Sequence, residues 1–442
     1  MKPGLKHRIS ESFWRSNPCP DPRAVDEMRL ADAPDKRPVA RYGREGIAFI
    51  EKLARALHRY GLAAPNVEDA LSLVADRLGI HGEFFATPTA IFASLDTGDM
   101  EQTIMMRVEP GSVNLDKLAR LDRLAQDVAT GTVSPVEASH LIDEIRATPP
   151  RFRGKATAIA SAVASAASAR FFGGGWREMV VCGAIGLMTG LLALVARRNP
   201  NFRVFEPVAA FVAGIGACAA AIWLPPTSLY VAMAGGLIVL FPGMTLTSSI
   251  SELATRHLQS GTSRLMSALI TLVSIGFGVA LGIETGRWLF GAVTVVSPVP
   301  LAMWTIAVAL VMASLAFMVL NQANPRDTGW IVFVCVLSFV GSRLGARWMG
   351  IETGAFVGAI LVGVASGVFS RIHNRPALVT ATPGTILLVP GSIGFRSITE
   401  MISNDPVRGL QTAFTMILTG VALATGLLVA RLIVPRRNLL KH

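Results

Sequence analysis

Two carboxylates stand in matched surroundings of this chain. Glu252 closes Ser249-Ile250-Ser251-Glu252, and Glu400 closes Ser397-Ile398-Thr399-Glu400, 148 residues later. At the same offset Pro242-Gly243 falls on Pro390-Gly391, and Gly261 falls on Gly409. Proline withholds a backbone N–H and strains the turn before it, while glycine lets backbone or solute come close. The amides and carbonyls freed at such a break can ligate a small polar solute, and a repeated Pro-Gly-broken helix marks the binding site of many transporters. Hydroxyls surround both breaks: Thr245, Thr247, Ser248 and Ser249 in one copy, Thr382, Thr385, Ser392 and Ser397 in the other. The expected solute contacts are therefore Pro242, Gly243, Thr245, Thr247, Ser249, Pro390, Gly391, Ser392 and Ser397. Glu252 and Glu400 are the expected proton-coupling groups. A charged carboxylate at the centre of a bilayer costs about 2.5–3.5 kcal/mol, so each lines a wet cavity or sits at the interface. Each lies about 13 Å along a helix from its Pro-Gly, which keeps the interface open as a position.

The elements that must hold these residues are membrane helices. The chain has 442 residues, 51% of them hydrophobic, with mean hydropathy +0.49. From Lys155 to Val434 apolar stretches follow one another, each near the roughly 20 residues that span a bilayer as helix. Ten spans are expected, at about 156–173, 178–196, 205–223, 227–245, 264–283, 299–320, 329–346, 352–370, 377–395 and 410–434. Five per half is an odd number, so the second half enters the membrane upside down relative to the first. The fold class expected is a polytopic α-helical membrane protein of two inverted five-helix repeats, residues 151–295 and 296–435, preceded by a small α+β domain.

That domain is expected over residues 44–150, between a disordered arm (1–43) and, at the far end of the chain, a basic tail (436–442). Ile47, Ile50, Leu53, Ala54 and Leu57 share one helical face. Asn66-Val-Glu-Asp69 resembles a capping-box start for a helix running to Gly79. Phe84–Leu95 and Gln102–Val108 read as the strands of a hairpin around Asp96-Thr-Gly-Asp99. Helices are expected over about 114–129 and 134–147. The domain holds no phosphate loop, no nucleophile elbow and no metal-ligand spacing, and Ser139, His140 and Asp143 on one helix do not make a triad. No catalytic residue, metal or cofactor is therefore expected. The scattered Cys19, Cys182, Cys218 and Cys335 support neither disulfides nor zinc.

A net charge of +11 suggests nucleic acid only where the bases form a stripe with interleaved aromatics. Here they gather at helix ends, such as Arg197, Arg198, Arg371 and Arg375, which is what orientation in a membrane requires. Their distribution, with an even number of spans, favours both termini being cytoplasmic. The expected partners are a lipid bilayer and a small solute, to which the resemblance described next adds a proton; homo-oligomerisation is left open.

The block Pro88-Thr89-x-Ile91 followed by Arg107-Val-Glu-Pro110-Gly111-Ser-Val-Asn114-Leu115-x-Lys117-Leu118 resembles the N-terminal signature of the bacterial threonine/serine exporter family. Phe241-Pro242-Gly243-x-x-Leu246-Thr247 and Leu388-Val-Pro390-Gly391-Ser392 are similar to its two broken-helix motifs. The resemblance implies an inner-membrane exporter of small polar amino acids with ten helices, driven by the proton gradient. It also makes Arg107, Pro110, Gly111 and Asn114 candidates within the N-terminal domain. The chain departs from the family after the first break, where Arg256-His257 replaces an acidic position. Export of a dicarboxylate such as succinate, and a membrane-anchored regulator or enzyme acting through residues 44–150, are the alternatives.

Overall fold

The computed structural model describes residues 43–98, 101–109, 111–199, 204–292, 296–388, 390–402 and 405–435. The N-terminal arm, Pro110 and the basic tail lie outside the described residues.

The N-terminal domain packs four helices against one small sheet. Helix α1 (Gly43–Arg59) buries Ile47, Ile50, Leu53, Ala54 and Leu57, the stripe its spacing predicts. Helix α2 (Ala64–Leu78) starts two residues before Asn66 and carries no side-chain cap; Pro65 occupies its first turn, and Gly79 ends it at φ 73°. The expected Asn66 cap is thus replaced, because Pro65 is pre-set for a helical first turn. Strands β1 (His81–Ala86), β2 (Ala90–Asp96) and β3 (Glu101–Arg107) form an antiparallel meander. Phe84 faces Ala93, and Ile91 faces Met106. The run Phe84–Leu95 is therefore two strands rather than one. Thr87-Pro88-Thr89 turns the chain between them, with Thr87 Oγ1 both accepting from Ala90 N and donating to Ala90 O at 3.0 Å. Helix α3 (Leu115–Ala129) is capped by Asn114, whose Oδ1 accepts from Lys117 N at 3.0 Å. Helix α4 (Pro135–Ala147) is capped by Ser134 in the same way.

The remaining helices are α5 (Gly154–Phe171), α6 (Trp176–Arg198), α7 (Phe205–Trp223), α8 (Leu229–Gly236), α9 (Gly243–Ala254), α10 (Leu258–Phe290), α11 (Thr305–Leu320), α12 (Thr328–Met349), α13 (Ile351–His373), α14 (Leu378–Ile386), α15 (Gly391–Ile402) and α16 (Pro406–Ile433). Among the described residues, seven helical stretches are long and apolar enough to cross a membrane. There are eight if α8 and the segment Ile238–Ala254, bent by 46°, count as one broken span. The Ala/Ser-rich α5 and the 16-residue α11 fall outside that set. The chain is a multi-pass membrane protein.

Packing repeats between the two helix sets. Helix α10 lies along α7 as α16 lies along α13, α8 rests on α6 as α14 rests on α12, and each post-break helix packs on the helix that follows it. Across the sets, α5 meets α11, α9 meets α16, and α10 meets α15, so exchanging the sets leaves the pattern unchanged. Matched glycines permit the closest approaches. A Cβ on Gly278 would stand 2.3 Å from Pro207 O, and one on the equivalent Gly426 would stand 2.6 Å from Phe356 O.

The N-terminal domain shares its apolar core with the membrane helices. Met318, Ala323 and Ile331 are buried in the same cluster as Leu53, Leu71 and Leu121. The free amides of Leu115 and Asp116, at the start of α3, donate to Asn321 O (3.0 Å) and Gln322 O (3.2 Å). The Gln322 amide bonds the Phe152 backbone in both directions, at 2.9 and 3.0 Å.

Candidate functional site

The two Pro-Gly breaks meet. Gly243 is the first residue of α9 and Gly391 the first of α15. A Cβ built on Gly391 would lie 3.3 Å from Gly243 Cα and 3.4 Å from Gly243 N. Beside them the Phe241 and Phe395 rings stack with centroids 4.9 Å apart. Each proline carbonyl accepts from the residue four on, Leu246 and Gly394, both at 2.9 Å, so both helices start at the break. The first turn of a helix leaves backbone N–H groups without intrahelical partners and carries the positive end of the helix dipole. Two such ends therefore lie in contact inside the helix bundle.

The hydroxyls expected to touch solute divide into two kinds. Thr247 donates to Gly243 O at 3.1 Å, Ser249 to Leu246 O at 2.7 Å, and Ser397 to Gly409 O at 2.7 Å; all three side chains are buried and serve backbone. Thr245 and Ser392 are half-buried and enter none of these bonds. The matched Gly236 and Gly384 carbonyls, at the end of α8 and within the last turn of α14, receive Ser165 Oγ (3.1 Å) and Ser338 Oγ (2.8 Å). Those two serines were not singled out by the sequence, since nothing in it shows which helix passes a broken turn.

The acids sit away from the breaks, at the far ends of α9 and α15. Glu252, 2% exposed, accepts from Ser260 Oγ at 2.7 Å and from Ala64 N at 3.3 Å. Arg264 Nε is 3.2 Å from its Oε1, a charge contact whose N–H is not aimed along that line. Glu400 accepts from Arg396 Nε at 2.8 Å and from Thr412 Oγ1 at 2.5 Å. Arg264 and Thr412 occupy the same position of the repeat, twelve residues beyond their acid. Gly261 and Gly409 correspond too, pressed against Leu253 and Met401, themselves equivalent. The sequence periodicity therefore extends into matched contacts around both acids, and the shared offset is the signal by which Arg264 and Thr412 could have been found.

In the N-terminal domain Arg107 ends β3, exposed and opposite Ala90. Gly111 lies on the loop between β3 and α3, where a Cβ would stand 2.3 Å from Arg59 O, and Asn114 is the cap of α3. Among the described residues no group of three His, Cys, Asp or Glu side chains could hold a metal ion.

A multi-pass helical bundle with paired helix breaks and a docked α+β domain defines a membrane protein of transporter type. Two models of the threonine/serine exporter family match the chain, one over residues 48–286 and one over residues 306–433. The chain belongs to the threonine/serine exporter family. A probable threonine/serine exporter of Mycobacterium tuberculosis is 30% identical over 358 residues, which is 76% of this chain and 66% of that protein. The pheromone-regulated membrane protein 10 of Eremothecium gossypii is 25% identical over 87% of this chain and 56% of its own length. Its Saccharomyces cerevisiae namesake is 25% identical over 84% and 48%. The chain thus spans about a third to two thirds of the length of the curated relatives it matches. No solved structure matches it.

Proposed function

We propose that the protein exports a small polar amino acid, threonine or serine, across the bacterial inner membrane by proton-coupled alternating access. The observation that carries this reading is the contact between the first residues of α9 and α15. Paired helix N-termini attract a carboxylate, and the half-buried Thr245 and Ser392 stand beside them in the first turns of the two helices. The Mycobacterium tuberculosis relative, by its name, supports the substrate class.

Each broken pair counted as one crossing gives five crossings per set and ten in all, which would set the two repeats in opposite directions. The exchange-symmetric packing of the helices supports that arrangement. Both termini would then be cytoplasmic, and the docked domain would stand at the inner mouth of the pathway. Proton coupling falls to Glu252 and Glu400. Each ties a post-break helix to the next helix through a charge partner or a hydroxyl, and a proton on the carboxyl group would weaken that tie.

Uptake of labelled threonine and serine into inside-out vesicles, with and without an imposed proton gradient, tests the proposal. Gradient-dependent, saturable uptake is expected for at least one of them. Its absence for both, with succinate transported instead, would overturn the substrate assignment.

A further inference from the structure

We propose that the N-terminal domain holds a second ligand site, for a small dianion, in the cleft where the β3–α3 loop crosses the ends of α1 and α4. The cleft has a volume of about 630 Å³ and is lined by Arg59, Tyr60, Ser112, Lys117, Asp143 and Arg146 among others. That volume lies within the roughly 300–1,000 Å³ of small-molecule sites. Its charge is lopsided: three cations face one carboxylate, and that carboxylate is already taken. Asp143 lies 2.6 Å from Lys52 Nζ outside the cleft and 3.6 Å from Arg146.

Lys117 is the decisive residue. Its side chain belongs to the first turn of α3 and is 7% exposed. Its ammonium donates to Arg146 O at 3.0 Å and to Tyr60 Oη at 3.4 Å, and lies 5.2 Å from the centre of the Tyr60 ring. These contacts satisfy N–H directions with neutral dipoles, and among the described residues no carboxylate pairs with it. A buried charge without a counter-ion is costly. An anion entering between Arg59, Arg146 and Lys117 supplies the missing charge, and Ser112 offers a hydroxyl to it. The surplus of two positive charges on the lining selects a dianion, a dicarboxylate or a phosphate monoester, over a zwitterion. Gly111 holds the loop in this shape, since any side chain there would run into Arg59 O.

The site is wired to the membrane helices. The residues between the Asn114 cap and Lys117 are Leu115 and Asp116, whose amides bond Asn321 O and Gln322 O at the end of α11. Asp116 also accepts from Asn324 Nδ2 at 3.3 Å and pairs with Arg151 at 3.2 Å. Lys117 therefore stands next to the turn that anchors the domain on the bundle.

The test uses the full chain purified in detergent, titrated calorimetrically with succinate and with inorganic phosphate at constant ionic strength. Saturable binding of at least one of them is expected, and which one binds separates a dicarboxylate from a phosphorylated ligand. The double variant Arg59→Gln/Arg146→Gln, at partly exposed side chains that leave the core intact, is expected to bind at least tenfold more weakly. Absence of saturable binding of both probes, or wild-type affinity in the double variant, overturns the proposal. Binding is measured without transport, so the outcome stands apart from the export reading.

Discussion

Glu252 Oε1 accepts the backbone N–H of Ala64 across 188 residues of sequence, so an acid of the membrane bundle occupies the position of the missing N-cap of α2. An anion at a helix N-terminus is favourable, and the same carboxylate balances Arg264 and receives Ser260. One side chain thus joins α9, α10 and the N-terminal domain. Glu252→Gln keeps an acceptor for Ala64 but leaves Arg264 facing a neutral group. Removing one partner of a buried pair costs about 3–5 kcal/mol, with the lower end expected here because Arg264 is 20% exposed. Thermal unfolding of the purified variant should show a clear drop, partly recovered in Glu252→Gln/Arg264→Met. An unchanged midpoint would detach the acid from domain docking.

Glu400 should behave differently. Its partner Arg396 is 54% exposed, and exposed pairs contribute about 0–1 kcal/mol. Glu400→Gln is therefore expected to unfold within about 1 kcal/mol of the parent. Its transport should nevertheless lose part of its dependence on the proton gradient. Gradient dependence unchanged in both Glu252→Gln and Glu400→Gln would remove the two acids from the coupling mechanism.

Gly391 offers a steric test of the paired breaks. An added Cβ would stand 3.0 Å from Phe241 Cβ and 3.3 Å from Gly243 Cα, closer than a packed core accepts without movement. Gly391→Ala should slow transport several-fold, and Gly391→Val should abolish it, since overpacking costs about 1–3 kcal/mol. Gly329→Ala, where nothing lies within 4 Å, serves as the control. Vesicle uptake normalised to inserted protein reads the difference. Full activity in Gly391→Val would mean the two breaks do not work as a closely fitted pair.

What the sequence discloses here is local or periodic. The repeat disclosed the two Pro-Gly positions and the acids that follow them, and the apolar runs disclosed membrane helices, because each is a pattern along the chain. The expected hairpin failed at Thr87-Pro88-Thr89, where a run of strand-forming residues hid a turn held by the Thr87 hydroxyl. The Asn66 cap failed because Pro65 lets α2 start two residues earlier, where the Ala64 amide meets Glu252 from far along the chain. The cationic cleft was equally invisible, since Arg59, Lys117 and Arg146 come from three separate helices, α1, α3 and α4. Pairings of that kind follow from tertiary packing, which one sequence does not encode as spacing.

Asn114 gives a measurable local term. Its Oδ1 receives Lys117 N at 3.0 Å, and losing such a cap costs about 1 kcal/mol. Asn114→Ala should lower the unfolding midpoint modestly, and Asn114→Ser should restore most of it. A loss as large as that of Glu252→Gln would show that Asn114 has a further partner.

His58 makes the stability of the N-terminal domain sensitive to acid. Burial, and then the nearby Arg264 charge, lower its pKa from the ordinary 6.5, against a smaller opposing effect of the Thr87 carbonyl. The geometry agrees: Nε2 donates to Thr87 O at 3.2 Å, while Nδ1 is buried without a partner. Among the described residues a proton on Nδ1 would find no acceptor, and the Arg264 charge nearby opposes it. The folded protein therefore binds this proton less readily than the unfolded chain. By linkage, the contribution of neutral His58 is whole above pH 6.5 and declines as the pH falls from 6.5 towards the depressed folded value. Unfolding midpoints measured from pH 7.5 down to pH 5 should fall more steeply for the parent than for His58→Gln, which can still donate to Thr87 O. Parallel curves for the two proteins would show that the acid sensitivity arises elsewhere.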